Sequence, residues 1–174
     1  MTEAIAGQLR RSPTIGSAAS ARLIALLLPL GLLAGAFGSQ YLGGLAPCEM
    51  CWWQRYAHMA AVIPAGLAFT APAGSQRAQA LTLLAALAIA VSGAIGVYHA
   101  GVELHVFEGF TTCTATASSG STADLFKQIA GAPLIRCDQV QWSFLGVSMA
   151  GWNAILSLGG ALLITLLALR GARG

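Results

Sequence analysis

The amino-acid sequence predicts an all-α membrane protein, a four-helix transmembrane bundle with a short in-plane amphipathic helix in its second outer loop. Composition is the first observation behind this. The 174 residues are 56% hydrophobic and 9% charged, whereas a typical soluble chain carries about 25% charged residues. The second is the grouping of the apolar residues into four stretches, Leu23 to Leu42, Tyr56 to Pro72, Gln79 to Tyr98 and Phe144 to Leu169. Each lies at or near the roughly 17 to 25 residues that a helix needs to cross a bilayer core.

Residues 1–22 form a basic tail, followed by a single four-span domain over residues 23–170 and a short tail at 171–174. No span carries Asp, Glu, Lys or Arg at its middle, where a charge costs most. Pro29 and Pro64 fall inside the first and second spans. Membrane helices tolerate them, because neighbouring helices satisfy the freed backbone groups. Ala34-Gly35-Ala36 has the small residues of a cleavage site, and Arg10-Arg11 has the look of a twin-arginine signal. The apolar run continues past Ala34 to Leu42 and the chain re-enters the membrane three more times, so a retained anchor is expected.

An even number of spans places both termini on one side. Arg10, Arg11, Arg22, Arg77, Arg170 and Arg173 share the face of the tails and the middle loop, against Arg55, Lys127 and Arg136 on the other. The basic excess puts the termini inside. Two loops then lie outside, about 43–51 and 99–143, and they hold all four cysteines: Cys48 and Cys51 in the first, Cys113 and Cys137 in the second.

Cysteines gathered on an oxidising face point to disulfide chemistry. A purely structural bridge gains little from Cys-x-x-Cys, because so small a loop restrains little unfolded chain; that spacing suits redox cycling. A closed zinc site asks for two short-spaced pairs, whereas Cys113 and Cys137 are far apart in sequence and no Cys-x-x-His pairing brings in His58, His99 or His105. No metal site is expected. Glycine-rich phosphate loops, repeats and nucleic-acid patches are absent from the sequence, and topology accounts for the net charge of +3.

Pro47 precedes Cys48, and Trp52-Trp53-Gln54-Arg55-Tyr56 follows Cys51, so the pair marks a helix entrance at the membrane surface. Free N–H groups there favour thiolate over thiol. On a helix, Arg55 lies one turn beyond Cys51 on the same face. Two roles fit it. It is either an interfacial anchor beside the aromatic residues, or a cation beside a reactive thiol and a flat, electron-accepting ligand.

Pro47-Cys48-Glu49-Met50-Cys51-Trp52-Trp53-Gln54-Arg55 resembles the Pro-Cys-x-x-Cys-x-x-x-Arg signature of the DsbB family. Tyr98-His99-Ala100-Gly101-Val102-Glu103 resembles that family's start of the second outer loop, and Cys137-Asp138 with Trp142 to Ala150 and Trp152-Asn153 is a third match in order. The resemblance covers residues 23 to 170. It implies a bacterial inner-membrane thiol oxidase that reoxidises a DsbA-like periplasmic dithiol protein and passes electrons to a quinone, ubiquinone or menaquinone. It further implies that Cys113–Cys137 is the disulfide the partner attacks, with Cys113 in the mixed disulfide. Cys137 then relays to Cys48 and frees Cys51 beside the quinone. Arg55 is implied to hold a quinone oxygen, with His99 a second polar group there or an interfacial histidine without a role.

Glu103, His105 and Glu108 are expected on a solvated loop face. Ser121-Thr122 is suited to cap the in-plane helix, whose Leu125, Phe126 and Ile129 form an apolar edge opposite Asp124, Lys127 and Gln128. That edge meets either lipid or the bundle. Gly31 with Gly35, and Gly93 with Gly96, are expected to let helices approach. Two other functions remain open: an oxidase of the vitamin K epoxide reductase or DsbI kind serving another thiol partner, and a non-enzymatic membrane protein with structural disulfides. In the former family the loop pair precedes Cys-x-x-Cys, the reverse of the order here.

Overall fold

The computed structural model describes residues 12–109 and 136–171. Four long helices dominate them: α1 (Ser12–Tyr41), α2 (Glu49–Leu67), α3 (Gln76–Glu103) and α4 (Met149–Gly171). A 3-10 turn, Ala68–Thr70, extends α2. Three stretches, Gly16–Tyr41, Gln76–Glu103 and Met149–Gly171, are long and apolar enough to cross a membrane by length and composition. The protein is thus a multi-pass membrane protein. The remaining helix, α2, carries Gln54, Arg55 and His58, and all three are buried inside the molecule.

Side-chain caps fix where the helices begin. Ser75 Oγ accepts from the Ala78 amide at 3.2 Å and starts α3, and Cys48 Sγ accepts from the Cys51 amide at 3.3 Å and starts α2. Each satisfies one of the backbone donors that a helix leaves unpaired in its first turn. Ahead of α4, β1 (Ser143–Phe144) and β2 (Val147–Ser148) pair antiparallel around Leu145 and Gly146. Both turn residues have positive φ, 52° and 76°, as a two-residue hairpin matched to strand twist requires. Trp152 Nε1 donates to the Phe144 carbonyl at 3.0 Å and ties this hairpin to α4.

The helix ends differ from the apolar stretches because hydropathy marks the part that suits lipid, while helical hydrogen bonding continues beyond it. Thus α1 starts at Ser12 rather than Leu23, and α3 runs through Glu103, which puts His99 within the helix. The fourth helix starts at Met149 rather than Phe144, since the hairpin uses residues 143–148. The expected in-plane helix at Ser121 to Ile129 lies outside the described residues.

The bundle closes on small side chains. Ala25, Ala61, Ala65, Ala85, Ala86 and Ala161 form a core with Ile89 and Ile164, while Leu27, Ile63, Leu87 and Leu162 point outward. The most extensive contact joins α3 to α4. A Cβ at Gly93 would lie 2.8 Å from Leu158 Cγ, and one at Gly96 would lie 3.0 Å from the Ala150 carbonyl oxygen. Those two glycines permit close approach. Gly31 and Gly35 do not, because a Cβ there would meet nothing within 4 Å; both instead line a cavity. Gly96→Val should therefore lower the thermal midpoint of the purified protein in detergent, at an overpacking cost of about 1–3 kcal/mol, whereas Gly31→Ala should leave it nearly unchanged. Equal midpoints for the two variants would contradict this packing.

Candidate functional site

The N-terminal end of α2, ahead of the apolar stretch that starts at Tyr56, brings the sulfur chemistry together. Cys48 and Cys51 are unbonded, with sulfurs 3.0 Å apart. One turn of helix separates them, and the cap geometry at Cys48 turns its sulfur back toward the Cys51 amide. Cys137 arrives from the far side of the long loop and joins Cys48, Met50 and Val102 in one buried cluster. Cys48 is 4% exposed and Cys137 5%. Cys113 lies outside the described residues.

The two thiols of the pair are inequivalent. Hydrogen bonding with Cys137, then with Cys51, and burial hold the Cys48 thiol far above its ordinary range. Cys51 is held below its ordinary range, chiefly by the hydrogen bond with Cys48, against burial and with a smaller contribution from the Arg55 charge. Cys51 is therefore the better thiolate. Exchange proceeds through an attacking or departing thiolate, so this asymmetry gives the two positions different work.

Arg55 lies one turn deeper. Its Nη2 donates to the Ala36 carbonyl at 2.9 Å and its Nη1 to Gln40 Oε1, both on α1. The guanidinium carbon lies 4.9 Å from the Phe37 ring centre and 5.0 Å from that of Trp52, within cation–π range. These contacts hold a buried cation where Cys51 and Arg55 share the wall of a cavity of about 600 Å³. Leu32, Leu33, Ala36, Leu45 and Trp152 supply apolar lining, and the absent side chains of Gly31 and Gly35 leave room.

His99 reaches the pair from α3. Its Nε2 lies 3.6 Å from Cys48 Sγ and 3.9 Å from Glu103 Oε1. The amide of Gln54 donates to the Met50 carbonyl at 3.2 Å, and a carbonyl can only accept, so the same Nε2 also donates to His99 Nδ1, 2.9 Å away. Neutral His99 thus carries its proton on Nε2, which lies beside the sulfur of Cys48 and also hydrogen-bonds the backbone of Cys137. Cys48, Cys51 and His99 place three donor atoms within 4.8 Å of one another, but in this tautomer His99 offers an N–H rather than a metal-binding lone pair.

Several of these side chains escaped the sequence reading. Glu103, expected on a solvated face, is buried to 7% side-chain exposure and accepts from Ser148 Oγ; α3 simply continues past the apolar stretch and carries it under the hairpin. His105 and Glu108 are exposed. Buried Gln54 and Ser92 and half-buried Asn153 form a hydrogen-bonded set joining α2, α3 and α4. The available signal was the presence of single polar residues within otherwise apolar helices.

The family model for Disulfide bond formation protein DsbB matches residues 18–167. A Disulfide bond formation protein B from Verminephrobacter eiseniae is 34% identical over 167 residues, covering 88% of this chain and 88% of the relative. One from Acidovorax sp. strain JS42 is 30% identical over 168 residues, covering 88% and 90%. One from Marinobacter nauticus is 31% identical over 142 residues, covering 76% and 80%. No solved structure matches the chain.

Proposed function

Because the chain belongs to the DsbB family of disulfide bond formation proteins, we propose that it is a quinone-dependent protein-dithiol oxidase of the bacterial inner membrane. In this reading all four helices span the membrane, the termini are cytoplasmic, and the cysteine loops face the periplasm and a DsbA-like partner. The observation that carries the proposal is the meeting of Cys48, Cys51 and Cys137 beside an apolar cavity walled by Cys51 and Arg55.

The cavity residues fit a quinone. An apolar wall with a few placed polar groups is the usual form of a small-molecule site, Gly31 and Gly35 leave open space along it, and Arg55 presents a buried cation. A bound quinone supplies an acceptor for two electrons and two protons. Everything else is done by the chain's own thiols. A partner thiolate attacks Cys113 of the Cys113–Cys137 disulfide, forms a mixed disulfide and releases Cys137. Cys137 attacks Cys48 of the Cys48–Cys51 disulfide and releases Cys51 as a thiolate. The partner's second thiol resolves the mixed disulfide, so the partner leaves oxidised and Cys113 leaves reduced. Cys113 then reclaims Cys137, and Cys48 with Cys51 remain as the dithiol that the acceptor reoxidises. The balance is one dithiol and one quinone consumed, one disulfide and one quinol formed.

In this cycle the lowered Cys51 thiol makes a good leaving group when Cys137 attacks, and His99 N–H stabilises negative charge arising on Cys48. Arg55 stabilises charge on the ring oxygen, an effect that a water-poor site strengthens. Arg55→Met keeps the apolar stem and removes the charge. It should raise the quinone Michaelis constant about 10- to 100-fold, the loss of one charged hydrogen bond, while leaving thiol exchange with the partner unchanged. Unchanged quinone kinetics would return Arg55 to the role of an interfacial anchor.

A further inference from the structure

The cavity has a second polar wall, deeper along α2, that the thiol chemistry leaves unused. His58 lies one turn beyond Gln54, is 3% exposed, and lines the same cavity as Cys51 and Arg55. Its protonation can be read from its neighbours. Asn153 Nδ2 donates to the Ser92 carbonyl at 3.2 Å and to Gln54 Oε1 at 2.7 Å, which fixes the orientation of the amide. Asn153 Oδ1 therefore faces His58 Nε2, 2.9 Å away, and also accepts from Ser157 Oγ at 2.9 Å. Because Oδ1 can only accept, His58 Nε2 carries the proton and the lone pair of the neutral ring sits on Nδ1. That Nδ1 is buried and has no hydrogen-bond partner among the described residues.

An unpaired buried acceptor calls for a donor. A quinone ring offers only carbonyl acceptors, whereas its reduced form carries two hydroxyl donors. We infer that His58 is a ligand-binding residue whose Nδ1 accepts a hydrogen bond from a hydroxyl of the quinol, so that the cavity prefers the reduced ring to the oxidised one. This inference rests on the quinone reading of the cavity and adds to it a direction: the contact forms only as the ring is reduced. A tenfold preference for quinol raises the midpoint potential of the bound two-electron couple by about 30 mV, which makes the bound quinone a stronger acceptor for Cys51.

The test uses the purified full chain in nanodiscs, with Cys48→Ser and Cys51→Ser so that neither ligand form exchanges electrons with the protein. Equilibrium binding of a short-chain ubiquinone and of its reduced quinol is measured anaerobically with His58 present, in His58→Gln and in His58→Asn. The Gln amide reaches the place of Nε2, so it keeps the Asn153 contact and removes the acceptor; the Asn amide reaches the place of Nδ1 and restores it. The Kd for quinol should rise about tenfold in His58→Gln, as one hydrogen bond is lost, with less than about a twofold change for quinone. His58→Asn should recover most of the quinol affinity. Equal weakening of both forms, no change in either, or selective loss of quinone would overturn the assignment of His58 and leave the quinone site standing. If neither form binds with His58 present, the quinone reading fails and the assignment fails with it. Circular dichroism of each variant confirms that helix content is kept, and a misfolded His58→Gln leaves the comparison of His58→Asn with the parent to decide: loss of quinol preference there overturns the inference.

Discussion

In a Cys51→Ser variant, quinone reduction driven by a reduced dithiol partner is expected to fall to the uncatalysed rate. Cys51 is the thiol whose sulfur lies 3.0 Å from Cys48 and which shares the cavity wall with Arg55. Serine is close in size, so the bundle should keep its fold while the Cys48–Cys51 disulfide can no longer form. The same inequivalence of the pair has a pH signature. A thiol held below its ordinary range stays ionised as pH falls, and one held above it stays protonated until alkaline pH. In the fully reduced wild type, iodoacetamide at pH 7 should therefore modify Cys51 before Cys48, and the difference should shrink as pH rises. Peptide mass spectrometry reads both sites at once. Equal labelling across that range would remove the basis for giving the two thiols separate work, and residual turnover in Cys51→Ser would remove Cys51 from the electron path.

Cys137→Ser should produce the opposite kind of failure, an arrested complex. Without Cys137, Cys113 is a free thiol with no neighbouring thiol to displace a bound partner, so a single-cysteine form of the partner, supplied as its mixed disulfide with thionitrobenzoate, should be attacked by Cys113, release the thionitrobenzoate thiolate and remain joined to it. The expected product is a mixed disulfide through Cys113 that persists on a non-reducing gel, with turnover at the uncatalysed rate. The burial of Cys137 in one cluster with Cys48 is what leads to this expectation. A Cys137→Ser enzyme that turns over normally would show that electrons pass from the partner to Cys48 and Cys51 by another route.

The parts of the site that lie close together in the chain were legible in its sequence. The spacing of Cys48 and Cys51, the helix entrance at Pro47 and the position of Arg55 one turn deeper all follow from local geometry, and each has its counterpart in the structure. What joins distant segments was not. Gln54, His99 and Asn153 come from three helices, and only the packing of α2, α3 and α4 brings their amides and ring within hydrogen-bond range. Glu103 was misplaced because a carboxylate after an apolar stretch normally meets water, whereas here the helix continues and Ser148 receives it. Gly31 and Gly35 share their spacing with a helix-contact motif, and sequence spacing does not distinguish a face that meets a helix from one that leaves a cavity open.

The central claim is that electrons from a protein dithiol leave through Cys48 and Cys51 to a quinone. Its most direct measurement is anaerobic turnover of the purified full chain with excess reduced DsbA-like protein and a short-chain ubiquinone. Quinone loss is followed by absorbance, and partner disulfides are counted by thiol titration in the same samples. The predicted result is catalytic quinone loss with one quinol formed per partner disulfide, abolished in Cys51→Ser. Quinone that is not consumed beyond its uncatalysed rate, while a correctly folded protein is present, would contradict the claim.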